Sequence, residues 1–127
     1  MARPTFRKHE HLCGRLRIQE VFTSGRTVHD HPLKLIGKIM ELPTIAPAQV
    51  AFAVPKRVLR KAVQRNRVKR LMREAYRLNK EVCHGPMRAS GTQCALLFVF
   101  QGKANVTLAE MELKITRSLE RWMKEHG

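Results

Sequence analysis

Between Lys56 and Arg77 the chain carries ten Lys or Arg and a single acid, Glu74, so 22 residues hold +9 of a formal net charge of +15. The other 105 residues hold only +6. Such a stretch joins a compact fold only if its charges stay off the core, and helical geometry allows this. At about 100° per residue, Val68, Leu71, Met72 and Ala75 fall within one apolar arc. Asn66, Lys69, Arg70, Arg73 and Arg77 gather on the opposite side, with Arg65 and Arg67 at the two edges. A solvated helix face ordinarily mixes signs at i, i+4, and this one scarcely does. Arginine forks match phosphate oxygens and stay charged at any accessible pH. Asn66 adds a donor and an acceptor for a backbone or base edge. Lys56, Arg57, Arg60 and Lys61 precede the helix and lie near its N-terminal end, where backbone donors also attract anions. A pI near 10.9 implies self-repulsion that a polyanion relieves. Nucleic acid is the expected partner.

The rest of the chain supplies a scaffold. Its 127 residues, 43% of them hydrophobic, suit one folded domain. Ile18, Val21 and Phe22 mark a short helix between Gly14 and Gly25. A strand opens at His31-Pro32 and runs to about Glu41. Residues 43–47 form a turn, and a second strand, with Val50, Phe52 and Val54, ends at Pro55. The long helix covers roughly 59–80, and a loop with Gly85, Pro86, Ser90 and Gly91 follows. Residues 94–100 are continuously apolar, as in a strand covered on both faces. Thr107 and Glu110 form a capping box that opens a last helix carrying Leu108, Met111, Ile115, Leu119 and Trp122 on one face. The expected fold is α+β, in the order α-β-β-α-β-α, with helices packed on a small central sheet. It forms a single domain over 14–127, preceded by a mobile basic arm over 1–13. The second strand, long helix and third strand suggest a βαβ crossover whose hand the spacing does not give.

Lys61-Ala62-x-x-Arg65-Asn66-Arg67-x-Lys69-Arg70-x-x-Arg73-Glu74 resembles the signature of the bacterial ribonuclease P protein family. Val54-Pro55-Lys56-Arg57 and Gln19-x-Val21-Phe22-x-x-Gly25 extend the likeness, although the family usually has Ser or Ala where Pro55 stands. The resemblance implies a left-handed βαβ crossover and partnership with a large catalytic RNA. In that family the RNA performs magnesium-dependent hydrolysis that removes the 5′ leader from precursor tRNA. The magnesium is thus expected to be held mainly by the RNA, with one protein per RNA. Carried over by position, Lys56, Arg57, Arg60, Lys61, Arg65, Asn66, Arg67, Lys69, Arg70 and Arg73 are the expected RNA contacts. Ile18, Phe22, Lys34, Ile36 and Ala53 are the expected leader cleft. Ile18 stands where the family commonly has phenylalanine, and Ile36 where an aromatic or other apolar residue is usual. An isoleucine packs without offering a π-face to a base. Lys34 and Ile36 share one strand face, and Ala51 and Ala53 leave room for a ligand if they line it too.

Other chemistry finds little support. His9, His11, Cys13, His29 and His31 lack the close ligand pairs of structural zinc, and Cys83 and Cys94 add none, so no metal site is expected in the polypeptide. The ten acids are scattered, and on a helix Glu110 and Glu112 point apart, so no catalytic residue is expected in the chain. No run is apolar enough to span a bilayer, no N-terminal apolar segment suggests export, and a cytoplasmic protein without membrane contact is the expectation. The rival readings are a structural RNA-binding protein and a nuclease that works without RNA.

Overall fold

The structure, a computed structural model, describes residues 8–126. After a 3₁₀ turn at Lys8–Glu10 come α1 (Arg15–Ser24), β1 (Arg26–Asp30), β2 (Leu33–Ile39) and β3 (Ala48–Ala53). Helices α2 (Ala62–Asn79) and α3 (Glu81–Ser90) follow, then β4 (Cys94–Phe100) and α4 (Leu108–His126). The strands form one mixed sheet in the order β1-β2-β4-β3. Strands β1, β2 and β4 are antiparallel neighbours, whereas β3 runs parallel to β4. A parallel pair needs a crossover, and α2 with α3 supplies it.

Period-2 alternation divides the sheet between two cores. Leu33, Leu35, Val50, Leu96, Phe98 and Phe100 face α2, α3 and α4 in the larger cluster, where Val68, Met72, Tyr76, Met111, Ile115 and Trp122 meet them. Ile36, Ala95, Leu97 and Val99 face the other way, onto Val21 of α1 and Leu12. Strand β4 is buried throughout, as its unbroken apolar run demands. Thr107 Oγ1 accepts the Glu110 N–H at 3.2 Å and caps α4.

Two elements add to the expected order. Strand β1 has one buried apolar residue, Val28, beside a buried Asp30, too little pattern to announce a strand. Asp30 is held by Lys114 Nζ at 3.2 Å and Arg117 Nε at 3.6 Å, both from α4. The segment expected as a loop around Gly85 and Pro86 is helical. Cys83, His84 and Met87 bury one face of α3, and this packing overrides the missing N–H of Pro86. Gly91, at φ +70°, ends the helix in the left-handed conformation that glycine adopts most readily. The long helix begins at Ala62, because a turn at Pro55, whose carbonyl accepts Val58 N–H and Leu59 N–H, takes up the residues before it.

The arm expected over 1–13 is docked wherever the structure describes it, and its residues 1–7 lie outside the described residues. Leu12 is buried and its N–H donates to Val50 O at 2.9 Å, while His11 bridges Val50 in parallel along the open edge of β3. Glu10 is buried and paired with Lys80 at 2.7 Å. Residues 10–12, with an apolar anchor and a buried ion pair, therefore pack with the domain.

Candidate nucleic-acid interface

Helix α2 is built as its periodicity suggests. Val68, Met72, Ala75 and Tyr76 are buried, and Asn66, Arg70 and Arg73 on the other side are exposed. Lys69 is half-buried. Lys56, Arg57, Arg60 and Lys61 are exposed in the segment leading into the helix. None of these eight side chains has a hydrogen-bond or ion-pair partner among the described residues. Cations crowded without counter-ions repel one another and favour a bound polyanion.

The two outer arginines of the Arg65-Asn66-Arg67 motif are engaged differently. Arg65 Nη1 donates to Leu59 O at 2.9 Å and Arg60 O at 2.7 Å, bracing the turn before α2. Arg67 donates from Nη1 to Ala104 O at 2.5 Å and from Nη2 to Val106 O at 3.0 Å, bracing the loop before α4. Both were expected as RNA contacts, and both spend donors on the protein's own backbone. Arg77, also on the basic stripe, is matched by Glu74 in a two-pronged pair, Nε–Oε2 at 3.1 Å and Nη2–Oε1 at 2.5 Å. Beside it, His11, Arg70 and Arg73 line a groove of about 360 Å³ together with Glu74 and Arg77. The docked N-terminal segment thus forms one wall of the basic surface. Sequence alone gave no sign of this, because His11 and Arg70 meet only through the sheet edge.

The second expected surface lies on the α1 side of the sheet. Register places Lys34, Val99 and Ala53 in one cross-strand row, and Ile36, Leu97 and Ala51 in the next. Ala51 and Ala53 therefore share the face of Lys34 and Ile36, and both are half-buried. Phe22 is 58% exposed, with Lys34 Nζ 5.9 Å from its ring centroid, a cation–π distance. Ile18 is half-buried and joins Arg15, Gln19 and Phe22 around a groove of about 430 Å³. Arg15 and Gln19 were not anticipated, although positions 15, 18, 19 and 22 follow the i, i+3, i+4, i+7 rule that places them on one helix face. Ile36 departs from expectation. It is 2% exposed in the cluster beneath α1, so it is core and does not line the cleft.

Half of the ten acids are tied up in ion pairs. Glu10, Glu20, Asp30, Glu74 and Glu81 are each paired with a Lys or Arg. Among the described residues, no three His, Cys, Asp or Glu side chains converge as metal ligands. Cys83 and Cys94 are core residues, and burial pushes the Cys83 thiol up to about 12. No helix among the described residues is long and apolar enough to cross a membrane.

Comparison with known proteins gives the family. A family model described as Ribonuclease P matches residues 6–126. The ribonuclease P protein component of Porphyromonas gingivalis is 33% identical over 124 residues, covering 96% of this chain and 85% of its own. That of Chlorobium phaeobacteroides is 37% identical over 123 residues, covering 89% and 84%. Among solved structures, the RNase P protein from Thermotoga maritima is similar in fold, with a TM-score of 0.71 at 20% identity over 88% of this chain and 96% of that one. The Staphylococcus aureus RNase P protein gives 0.70 at 16% identity over 90% and 95%.

Proposed function

The chain belongs to the ribonuclease P protein family, and from that premise we propose that it serves as the protein subunit of a cytoplasmic ribonuclease P. In this reading it binds the catalytic RNA and the 5′ leader of precursor tRNA, and it assists magnesium-dependent removal of the leader to give the mature tRNA 5′ end. The observation that carries the reading is the cationic surface formed by Lys56, Arg57, Arg60, Lys61, Lys69, Arg70 and Arg73, with Asn66 among them, whose side chains have no partner among the described residues. Its charge density suits the phosphates of a folded RNA. The groove at Ile18 and Phe22, with Lys34 over the ring, suits a single strand: the cation meets the backbone while the aromatic face stacks a base.

The polypeptide is a poor fit for the magnesium. Its carboxylates at positions 10, 20, 30, 74 and 81 already answer a Lys or Arg, and among the described residues the other five do not converge with further ligands on one point. Magnesium keeps its waters and binds phosphate oxygens readily, so RNA phosphates are its natural ligands here. The role of this chain is to neutralise, position and hold. Lysines and arginines reduce repulsion between RNA and substrate, and the groove fixes the leader. The holoenzyme would hold one protein per RNA.

The test is cleavage of precursor tRNA at low magnesium by the cognate catalytic RNA, with and without this protein, and by the protein alone. Strong stimulation with the RNA and silence without it is the expected result. Tight RNA binding with no stimulation would leave a structural RNA-binding protein, and cleavage by the protein alone would make it a nuclease in its own right.

A further inference from the structure

The loop between β4 and α4 is pinned along its length. Gln101 N–H donates to Pro32 O at 2.8 Å, and a Cβ on Gly102 would lie 2.5 Å from Pro32 Cβ, so only glycine lets the loop pass so close to the β1–β2 turn. Val106 is buried in the larger core and Thr107 caps α4. Between these anchors Arg67 holds the carbonyls of Ala104 and Val106. With those carbonyls turned toward α2, Lys103 and Asn105 stand exposed on the outside, and neither side chain has a partner among the described residues. No Asp or Glu occurs between Glu81 and Glu110 to neutralise Lys103 in sequence.

The geometry points to a further RNA contact at Lys103 and Asn105, a cation and an amide for phosphodiester oxygens, on a loop that Arg67 fixes beside α2 through the carbonyls of Ala104 and Val106. Arg67 is then a positioning residue whose fork is committed to backbone carbonyls, and Lys103 is the group that meets RNA. The inference rests on the proposed RNA-binding role and refines where that RNA is held. A loop fixed before binding loses little entropy on contact, which is what makes one lysine there more useful than one on a free tail.

Binding of the full-length protein to its cognate catalytic RNA, measured across a salt series, tests this. Each phosphate contact contributes about 0.7–0.9 to the slope of log K against log salt. Lys103→Gln is expected to lower the slope by about one such unit. Arg67→Lys keeps the charge but loses the two-pronged hold, so it is expected to lower the slope as Lys103→Gln does, and the double variant to lower it no further. An unchanged slope for Lys103→Gln overturns the contact. A wild-type slope for Arg67→Lys, or additive losses in the double variant, overturns the positioning role, and thermal melts confirm that each variant is folded. Arg70→Gln combined with Arg73→Gln serves as the reference. If that pair also leaves the slope unchanged, the RNA-binding reading of α2 itself has failed, whatever the loop does.

Discussion

Lys80 Nζ lies 2.7 Å from Glu10 Oε1, and this contact ties the start of the chain to the junction of α2 and α3. Both side chains are largely withdrawn from water, Glu10 almost completely. Removing one partner of such a pair leaves the other charged and buried. Glu10→Ala is expected to destabilise the protein by about 3 kcal/mol, near the low end for buried pairs because Lys80 keeps some access to solvent. Urea unfolding at pH 7 measures it, and a change below 0.5 kcal/mol would show that the pair contributes little.

His84 lies in the same pocket, with Nε2 2.9 Å from the Tyr76 hydroxyl. Burial raises the Tyr76 pKa well above its usual value, so Tyr76 keeps its proton, and its hydroxyl shares one hydrogen bond with Nε2 in a direction set by the His84 tautomer. Burial, reinforced by the nearby Lys80 charge, pushes His84 down to about 4. A histidine whose folded pKa lies below its unfolded value of about 6.5 favours folding fully above 6.5, and that stability is lost as pH falls toward 4. Stability is therefore expected to fall by on the order of 2 kcal/mol between pH 7 and pH 4.5. In His84→Gln much of that pH dependence should vanish, and a variant that retains all of it would place the titration elsewhere.

Phe22 presents an exposed ring under Lys34 at the edge of the α1 groove. Base stacking on an aromatic is worth about 1–3 kcal/mol by alanine substitution. Phe22→Ala is expected to weaken binding of precursor tRNA by the holoenzyme roughly tenfold, while mature tRNA, which has no leader, binds as before. Equal losses for both would remove Phe22 from the leader site. Because the ring is exposed, the melting temperature should hardly change.

Gly37 of β2 lies under the Trp122 indole, and a Cβ there would come within 2.5–2.7 Å of three ring atoms. The indole cannot simply withdraw, since its Nε1 donates to Arg26 O at 3.0 Å. Gly37→Ala is expected to cost about 2 kcal/mol or more, as overpacking of a core does. RNA affinity of the folded fraction should be retained, because neither Gly37 nor Trp122 belongs to the basic surface of α2 or lines the α1 groove. Paired melting and binding curves separate the two effects.

What the sequence made legible followed from periodicity. The apolar arc of Val68, Met72 and Ala75 placed α2 and turned Asn66, Arg70 and Arg73 outward, and the unbroken run from Cys94 to Phe100 marked the central strand. Alternation set Lys34 with Ile36, but only the register with β4 and β3 brought Ala51 and Ala53 alongside them. Strand β1 was hidden because its support comes from across the molecule: Asp30 is answered by α4, and Val28 alone carries the apolar signal. Helix α3 was hidden because Gly85 and Pro86 are locally adverse, and burial of Cys83, His84 and Met87 outweighs them. The partition of the basic residues was also beyond sequence. Spacing puts Arg65 and Arg67 at the edges of the stripe that holds Arg70, but it gives no sign of the carbonyls of Leu59, Arg60, Ala104 and Val106 that engage those two.

The short pairing of His11 and Leu12 with Val50 has a consequence for how the protein endures before it meets RNA. A four-stranded sheet has two rims, and an uncovered rim is a template on which another chain can add itself. The parallel strand β3 forms one rim, and His11 and Leu12 lie along part of it. A shortened chain lacking residues 1–13 would keep most of both cores, yet it would present an unguarded row of amides and carbonyls. Its failure would show as concentration-dependent growth of oligomers by light scattering, with little change in helical content. The beginning of the chain would then serve as a selvedge, a finished border that keeps the sheet from being extended by its neighbours.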